Sequence, residues 1–483
     1  MPNLVAVLVT LFVLFVPLKV IAWGSYGHQQ INRSAVKLLK NTPEGACFTQ
    51  NIEFMTRLAI TPDYDWKSIN MVNTPAELKH AKVMANVYEH PLHYFEYDAF
   101  CQPDQTAKAC KLPTGDSFKG KTLTRLGNLL KGRIDYVLKM DPSKKIKDVN
   151  HPSPKEIAEH GVAPWRIKQL WNLAIEKLKT KKSEDVELAL IFLGAMGHYV
   201  GDMSQPFHSS LNFDGGSNRP PATGIHHTYE ECILEAEAKK VVGRKKDNWD
   251  KQKWIWTKFD GTDKEVLADS GCLVESSCPV VKPIKSKEII EEVLNLDQSG
   301  QKYVQPLIDV FLNGNPYAKR DKNGNIVTPD HKPASTMPTE STNEGLNSDQ
   351  VADSKPTPKP PDKYCDIYKD MNVNIAGQGP QTVLQSAELR MGQSSSLLAQ
   401  LWVSAMKESG MDLRRCPSNL KFDMAKVINN YPLFSKDIRS AEHSKKQSEN
   451  SDQDGQNNEA NDPNAENRDS APVTSGINSN STR

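Results

Sequence analysis

Ser183-Glu-Asp-Val-Glu-Leu-Ala-Leu-Ile-Phe-Leu-Gly-Ala-Met-Gly-His-Tyr-Val-Gly-Asp202 decides the fold. Ser183 is a natural N-cap, and Glu184, Asp185 and Glu187 suit the positive end of a helix dipole. Leu188, Ile191, Phe192 and Ala195 then lead to His198. The segment is apolar nearly all round, which predicts a buried central helix. His198 and Asp202 are four apart, so both project from one helical face, one turn apart. A buried helix carrying such a pair is the frame for a metal site.

Downstream, His208 follows Gln205-Pro206, where a helix must bend or end. Asp214-Gly215-Gly216 and Pro220-Pro221 mark residues 211–225 as a loop. His226 and Glu230 then repeat the four-residue spacing at a second helix start. His227 with Glu231 is the other register, and spacing alone does not choose between them. Residues 198–230 thus hold four of the twelve histidines of the 483-residue chain, which sets this stretch apart from ordinary core histidines. Imidazole with carboxylate suits borderline and hard divalent ions, zinc above all.

Elsewhere the pattern is also helical. Asn32 to Leu39 and Pro164 to Lys179 carry helical apolar spacing, the second with Pro near its start. Gln381 to Ser409 is amphipathic through Val383, Leu384, Leu389, Met391, Leu397, Leu398, Leu401, Trp402 and Ala405. One late helix cannot build a domain, so it is expected to pack back on the N-terminal body. Strand-like alternation is scarce. The expectation is an all-α, multi-helix single domain over residues 23–435, with an insertion at about 240–375. Within 240–317, Trp249, Trp254 and Trp256 stand among lysines. Residues 318–364 are a Lys-, Pro-, Ser- and Thr-rich linker, and 436–483 have the composition of a disordered tail.

Residues 1–22 read as a secretory signal peptide, with Leu4 to Leu18 almost wholly apolar and Val20-Ile21-Ala22 before the cut. The apolar run falls short of the ~20 residues needed to span a membrane. Eight cysteines, an even number, fit an oxidising compartment, either secreted or periplasmic. Cys101 with Cys110 and Cys272 with Cys278 are plausible short-loop pairs, and the absence of C-x-x-C argues against a cysteine zinc site. A net charge of +1 announces no basic groove for nucleic acid.

His198-x3-Asp202-x5-His208, with Gly201-Asp202-Met203-Ser204-Gln205-Pro206, resembles the core of the zinc-dependent phospholipase C / P1 nuclease superfamily. Trp23-Gly24-Ser25-Tyr26-Gly27-His28 resembles its mature N-terminus, Pro62-Asp63-Tyr64 its early aspartate, and Leu92-His93-Tyr94-Phe95 its next histidine. The likeness covers roughly residues 23–235 and, weakly, the 381–409 helix. It implies three zinc ions. Asp63, His93, His198 and Asp202 would hold one; His208, His226 and Glu230 a second. The α-amino and carbonyl groups of Trp23, with His28 and Asp202, would hold a third, and Asp202 would bridge two ions. Six positive charges against three carboxylates leave a surplus for a phosphate, and the ions lower the pKa of bound water. Asp63 would also be the candidate general base. A cut after Ala22 would create the amine at Trp23, so the uncut precursor is expected to be weak or inactive.

Glu230, where the nuclease branch usually carries aspartate, resembles the bacterial phosphatidylcholine-type phospholipase C branch. So does Tyr64 after Asp63, implied to help form a head-group pocket by cation–aromatic contact. His90 departs from the second aromatic wall expected there. The expected function is cleavage of the glycerol–phosphate bond of phospholipids at a membrane surface, by a monomer with no stable nucleic-acid partner. The alternative is a single-strand nuclease or 3'-nucleotidase, which would need aromatic stacking and a basic strand path. A metal-stabilised binding protein is a third class, disfavoured by the open water position that shared ligands imply.

Overall fold

Apolar side chains on every side of one segment can be satisfied only by surrounding it, and the chain does so. The computed structural model describes residues 23–67, 89–115, 118–140, 142, 151–216, 222–234, 281–314 and 362–434. Six helices of fifteen residues or more supply most of the body: α1 (Gly24–Leu38), α2 (Gly120–Met140), α3 (Ala163–Thr180), α4 (Ser183–Asp202), α5 (Ile289–Gly314) and α6 (Val383–Ser409). Helix α4 lies at the centre, against α1, α3 and α6, and every residue from Ala189 to Asp202 is buried. One continuous apolar core runs from Trp23 to Val427.

The central approach of α1 to α4 depends on two glycines. A Cβ on Gly197 would stand 1.9 Å from Asn32 Oδ1, and one on Gly201 2.9 Å from His28 Nδ1. Both contacts are closer than atoms tolerate, so glycine is what lets α1 lie on α4. Asn32 then donates to the carbonyls of Met55 and Gly194, at 2.8 and 2.9 Å, tying three segments together.

The mostly helical expectation holds among the described residues, with little strand. The strand is a hairpin, β1 (Asn372–Ile375) paired antiparallel with β2 (Gly379–Thr382), Val373 opposite Gln381. Helix bounds shift slightly. Lys182, not Ser183, occupies the N-cap of α4, and Thr382 caps α6 through a capping box with Gln385. Helix α5 falls in a stretch whose sequence reads as mixed, because Pro306 interrupts its pattern. It packs on α3, α6 and the short 3-10 turn Pro206–Ser209.

Disulfides join Cys47 to Cys416, Cys101 to Cys110 and Cys232 to Cys365. The short Cys101–Cys110 loop matches its sequence expectation; Cys272 and Cys278 lie outside the described residues. So do the signal segment, Trp249, Trp254, Trp256, nearly all of 318–364 and the tail from 436. Among the described residues no helix is long and apolar enough to cross a membrane. The disulfides are compatible with a secreted or periplasmic protein.

Candidate metal centre

Three groups of buried side chains bring their ligand atoms within 4.8 Å of one another: His28, His198 and Asp202; Asp63, His93 and His198; and His208, His226 and Glu230. The first two share His198, and Asp202 touches both. His93 Nδ1 lies 3.0 Å from Asp202 Oδ2 and from His198 Nε2, and 3.9 Å from Asp63 Oδ1. His198 Nε2 is 3.6 Å from Asp63 Oδ2, and His28 Nε2 is 3.4 Å from Asp202 Oδ1.

Each element delivers its ligand for a local reason. The α4 turn places His198 and Asp202 one above the other, and the Gly201 gap admits the His28 ring, which stacks on His198 at 3.8 Å. Asp63 and Glu230 both sit on π-turns, Pro62–Trp66 and Thr228–Cys232, where one extra residue per turn redirects a side chain. His208 lies on the 3-10 turn that Pro206 begins. Its Nδ1 donates to His93 O at 2.9 Å, and His198 Nδ1 donates to Ala59 O at 2.8 Å. A carbonyl can only accept, so both rings carry the proton on Nδ1 and turn Nε2 inward, as metal-bound imidazoles do.

The donor set fits divalent ions on a further count. Asp63 Oδ2, Asp202 Oδ1, His93 Nε2 and His208 Nε2 are buried with no hydrogen-bond partner. Buried polar atoms are ordinarily paired, and unpartnered ones in each of the three groups are what bound cations would satisfy. Burial raises the Asp202 pKa well above the usual carboxylate range, His208 opposing and Asp63 adding to it. Burial also holds His93 and His198 far below the usual imidazole value, aided first by Lys67 and by His28 respectively. Neutral imidazoles are the form that ligates.

The second group is polarised differently. Burial works against ionising Glu230, yet His226 and His208 outweigh it and bring its pKa down to about 2. Burial likewise disfavours a charged His226, but Glu230 and then Asp214 raise its pKa. His226 Nε2 contacts Glu230 Oε2 directly, and Gln205 Nε2 donates to the same carboxylate at 2.9 Å. The open register is thereby placed: His226 faces His208 and Glu230, whereas His227 pairs with Glu231 at 3.1 Å and is 36% exposed.

Trp23 is fully buried at the start of α1, its indole donating to Gly201 O at 2.7 Å and Ser204 Oγ at 3.0 Å. Its carbonyl accepts from Gly27 N. Tyr64 is half-buried, and its hydroxyl accepts from Ser25 Oγ at 2.6 Å. His90 keeps an exposed edge, stands edge-on to Tyr94 at 5.3 Å, and has its pKa lowered to about 4 by surrounding atoms first and Lys67 next.

Sequence reasoning missed several supports. Lys67 lies 2.5 Å from Asp63 Oδ1, and its i+4 spacing from Asp63 was a readable signal. Asp214 accepts from the backbone N–H groups of Gly224 and His226, at 2.9 and 3.2 Å, holding the second pair at its helix start. Behind His93, the hydroxyls of Tyr199 and Tyr431 both donate to buried Glu89, with Arg166 Nη2 at 3.7 Å from that carboxylate. No local pattern could have announced that four-residue cluster.

No protein-family profile matches the chain, and no solved structure matches it. A curated relative from Bradyrhizobium tropiciagri, described as "Probable serine protease", is 22% identical over 259 residues. The alignment covers 45% of this chain and 32% of that protein, so the chain spans about a third of its relative's length.

Proposed function

We propose that the protein is a secreted zinc metallo-phospholipase C, hydrolysing the glycerol–phosphate phosphodiester of phospholipids, with phosphatidylcholine as the expected substrate. One observation carries this reading: three buried imidazole–carboxylate groups, two of them sharing His198 and touching Asp202, with Glu230 in the third. The resemblance of these residues to the zinc phospholipase C / P1 nuclease superfamily supplies the three-zinc assignment. The same assignment gives the Trp23 backbone to the ion beside His28.

Bound zinc would supply Lewis acidity toward the phosphate and lower the pKa of water. The protein groups do the rest. Asp63 orients the attacking water and accepts its proton. The water oxygen bonds to phosphorus, and the phosphorus–oxygen bond to glycerol breaks. Diacylglycerol leaves with a proton and the phosphorylated head group remains. Lys67 shares Asp63 and adds positive charge beside the reacting centre. Tyr64, next to Asp63, is the assigned head-group contact.

The relative's name lends support to hydrolysis, and this reading assigns the chemistry to metal-bound water. The serines that flank the histidines in sequence are otherwise engaged: Ser204 Oγ donates to Gly201 O, Ser209 Oγ to Pro206 O, and Ser210 Oγ to Asp98.

The test is a parallel assay of the processed, zinc-loaded protein on phosphatidylcholine, other phospholipids and single-stranded DNA. Diacylglycerol release is expected, falling at least about 100-fold in excess chelator and returning with zinc. Full activity in chelator would refute the metal role. Cleavage of DNA with none of lipid would move the same centre to the nuclease branch.

A further inference from the structure

The loop between the two halves of the second metal group has a feature that ligand binding does not require. Leu211 and Phe213 are each 46% exposed, and neither joins the apolar core. Single exposed apolar residues are ordinary on a protein surface. These two stand within three residues of each other, start three residues after His208, and place the Phe213 ring 6.0 Å from His226.

The segment is also held firmly. Asp98 Oδ1 accepts from Leu211 N at 2.8 Å, and Asp98 Oδ2 from Ser210 Oγ at 2.9 Å. Asp214 takes the backbone N–H groups of Gly224 and His226 on the far side. Gly215, at φ +67°, turns the chain against Ala222, where a Cβ would meet the Ala222 Cβ at 2.6 Å. Two carboxylates and a glycine turn thus fix the backbone while two apolar side chains stay in water.

We infer that Leu211 and Phe213 form a lipid-contacting rim, which enters the surface of a phospholipid layer and sets the His208–His226–Glu230 group against the head groups. The partner is the lipid surface itself. The inference rests on the phospholipase reading, because a substrate embedded in a layer must be met at that layer. Apolar side chains beside His226 would remove the gap between enzyme and lipid. Neither residue belongs to a candidate ligand group, so the rim governs access and not the chemical step.

The test uses the double variant Leu211→Ala/Phe213→Ala in the processed, zinc-loaded protein. Two substrates are compared: phosphatidylcholine vesicles and dihexanoyl phosphatidylcholine kept monomeric below its micelle concentration. Expected is roughly a tenfold loss of vesicle hydrolysis, the scale of removing two half-exposed apolar side chains from lipid contact. Activity on the monomeric substrate should stay within about twofold. Phe213→Trp should keep vesicle activity, because indole also favours the interface. Equal loss on both substrates would assign the residues to the shape of the site, and no loss on vesicles would mean that the rim never meets lipid; either overturns the inference. Pelleting with phosphatidylcholine vesicles in the cold separates this from failure of the functional reading. If the wild type pellets without hydrolysing lipid and the double variant does not pellet, the rim stands and the assigned reaction falls. A wild type that neither pellets nor hydrolyses removes both.

Discussion

The candidate ligands gathered around α4 and those around His226 are brought together in two different ways. His28, Asp63, His93, His198 and Asp202 come from segments spread over 175 positions, and the core brings them together. The other group, His208, His226 and Glu230, spans 23 positions and hangs on short turns. In the first, close packing of α1 on α4 at Gly197 and Gly201 sets His28 against His198 and Asp202. The second is positioned by backbone hydrogen bonds to Asp214, by Gln205 on Glu230 and by the disulfide two residues later at Cys232. Close packing resists change everywhere at once, whereas a clipped turn fails at its clips.

The largest expected effect comes from the packed region. Asp202 lies against His28, His93 and His198 together, so Asp202→Asn removes a charge that two groups use. Activity should fall at least about 100-fold, and zinc content, by metal analysis, should fall by more than one ion per chain. The His208 group should keep its ion. Unchanged metal content would contradict a shared carboxylate and erase the distinction between the regions.

Next is the covalent clip. The double variant Cys232→Ser/Cys365→Ser frees the segment carrying Glu230 from the helix Asp362–Lys369. A loss of about 2–5 kcal/mol in stability is expected, read by denaturant unfolding. Metal should be lost from the His208 group before the α4 groups. Simultaneous loss would show that the two regions unfold as one.

Much of this was legible in the chain, and the reasons differ between the regions. The i,i+4 spacing of His198 with Asp202 and of His226 with Glu230 reads directly, because helical geometry is local. The two registers at His226 and His227 are equivalent along the helix, and only the tertiary position of His208 separates them. The glycine contacts on α4 escaped notice because a glycine in a helix does not name its neighbour. Helix α5 was obscured by Pro306, and the hairpin at 372–382 is too short to show alternation. Lys67 could have been found from its spacing to Asp63; the Glu89 cluster could not, since its members meet only across the fold.

A smaller effect tests the hydrogen-bonded clip alone. Asp214→Ala leaves the Gly224 and His226 N–H groups without their acceptor. A loss of about tenfold or somewhat more in metal affinity of the His208 group is expected, the usual range for an outer-shell partner. Asp214→Asn retains an acceptor oxygen and should recover most of it. Competition with a chelating dye separates the two variants. Equal effects of Ala and Asn would mean that the charge of Asp214, and not its acceptor geometry, holds the turn.

The smallest effect lies behind the second region, where α5 backs the Pro206–Ser209 turn. Asp297 on α5 is fully buried, and neither carboxylate oxygen has a hydrogen-bond partner. Burial raises its pKa well above the usual value; Arg390 opposes this and Asp98 adds to it. The folded state therefore holds a proton that the unfolded chain releases as pH rises. Below about pH 4 both states are protonated and the group costs nothing. As pH climbs from there toward the folded-state pKa, the carboxyl increasingly favours unfolding, and the cost then stays constant. Asp297→Asn removes the titrating group at little change in shape. At pH 7 the variant should be more stable, read as a higher Tm, because it has no proton to release. The difference should vanish near pH 4. A wild type more stable than the variant at pH 7 would mean that the ionised carboxylate is held by Arg390, and that the turn carrying His208 rests on a buried charge pair.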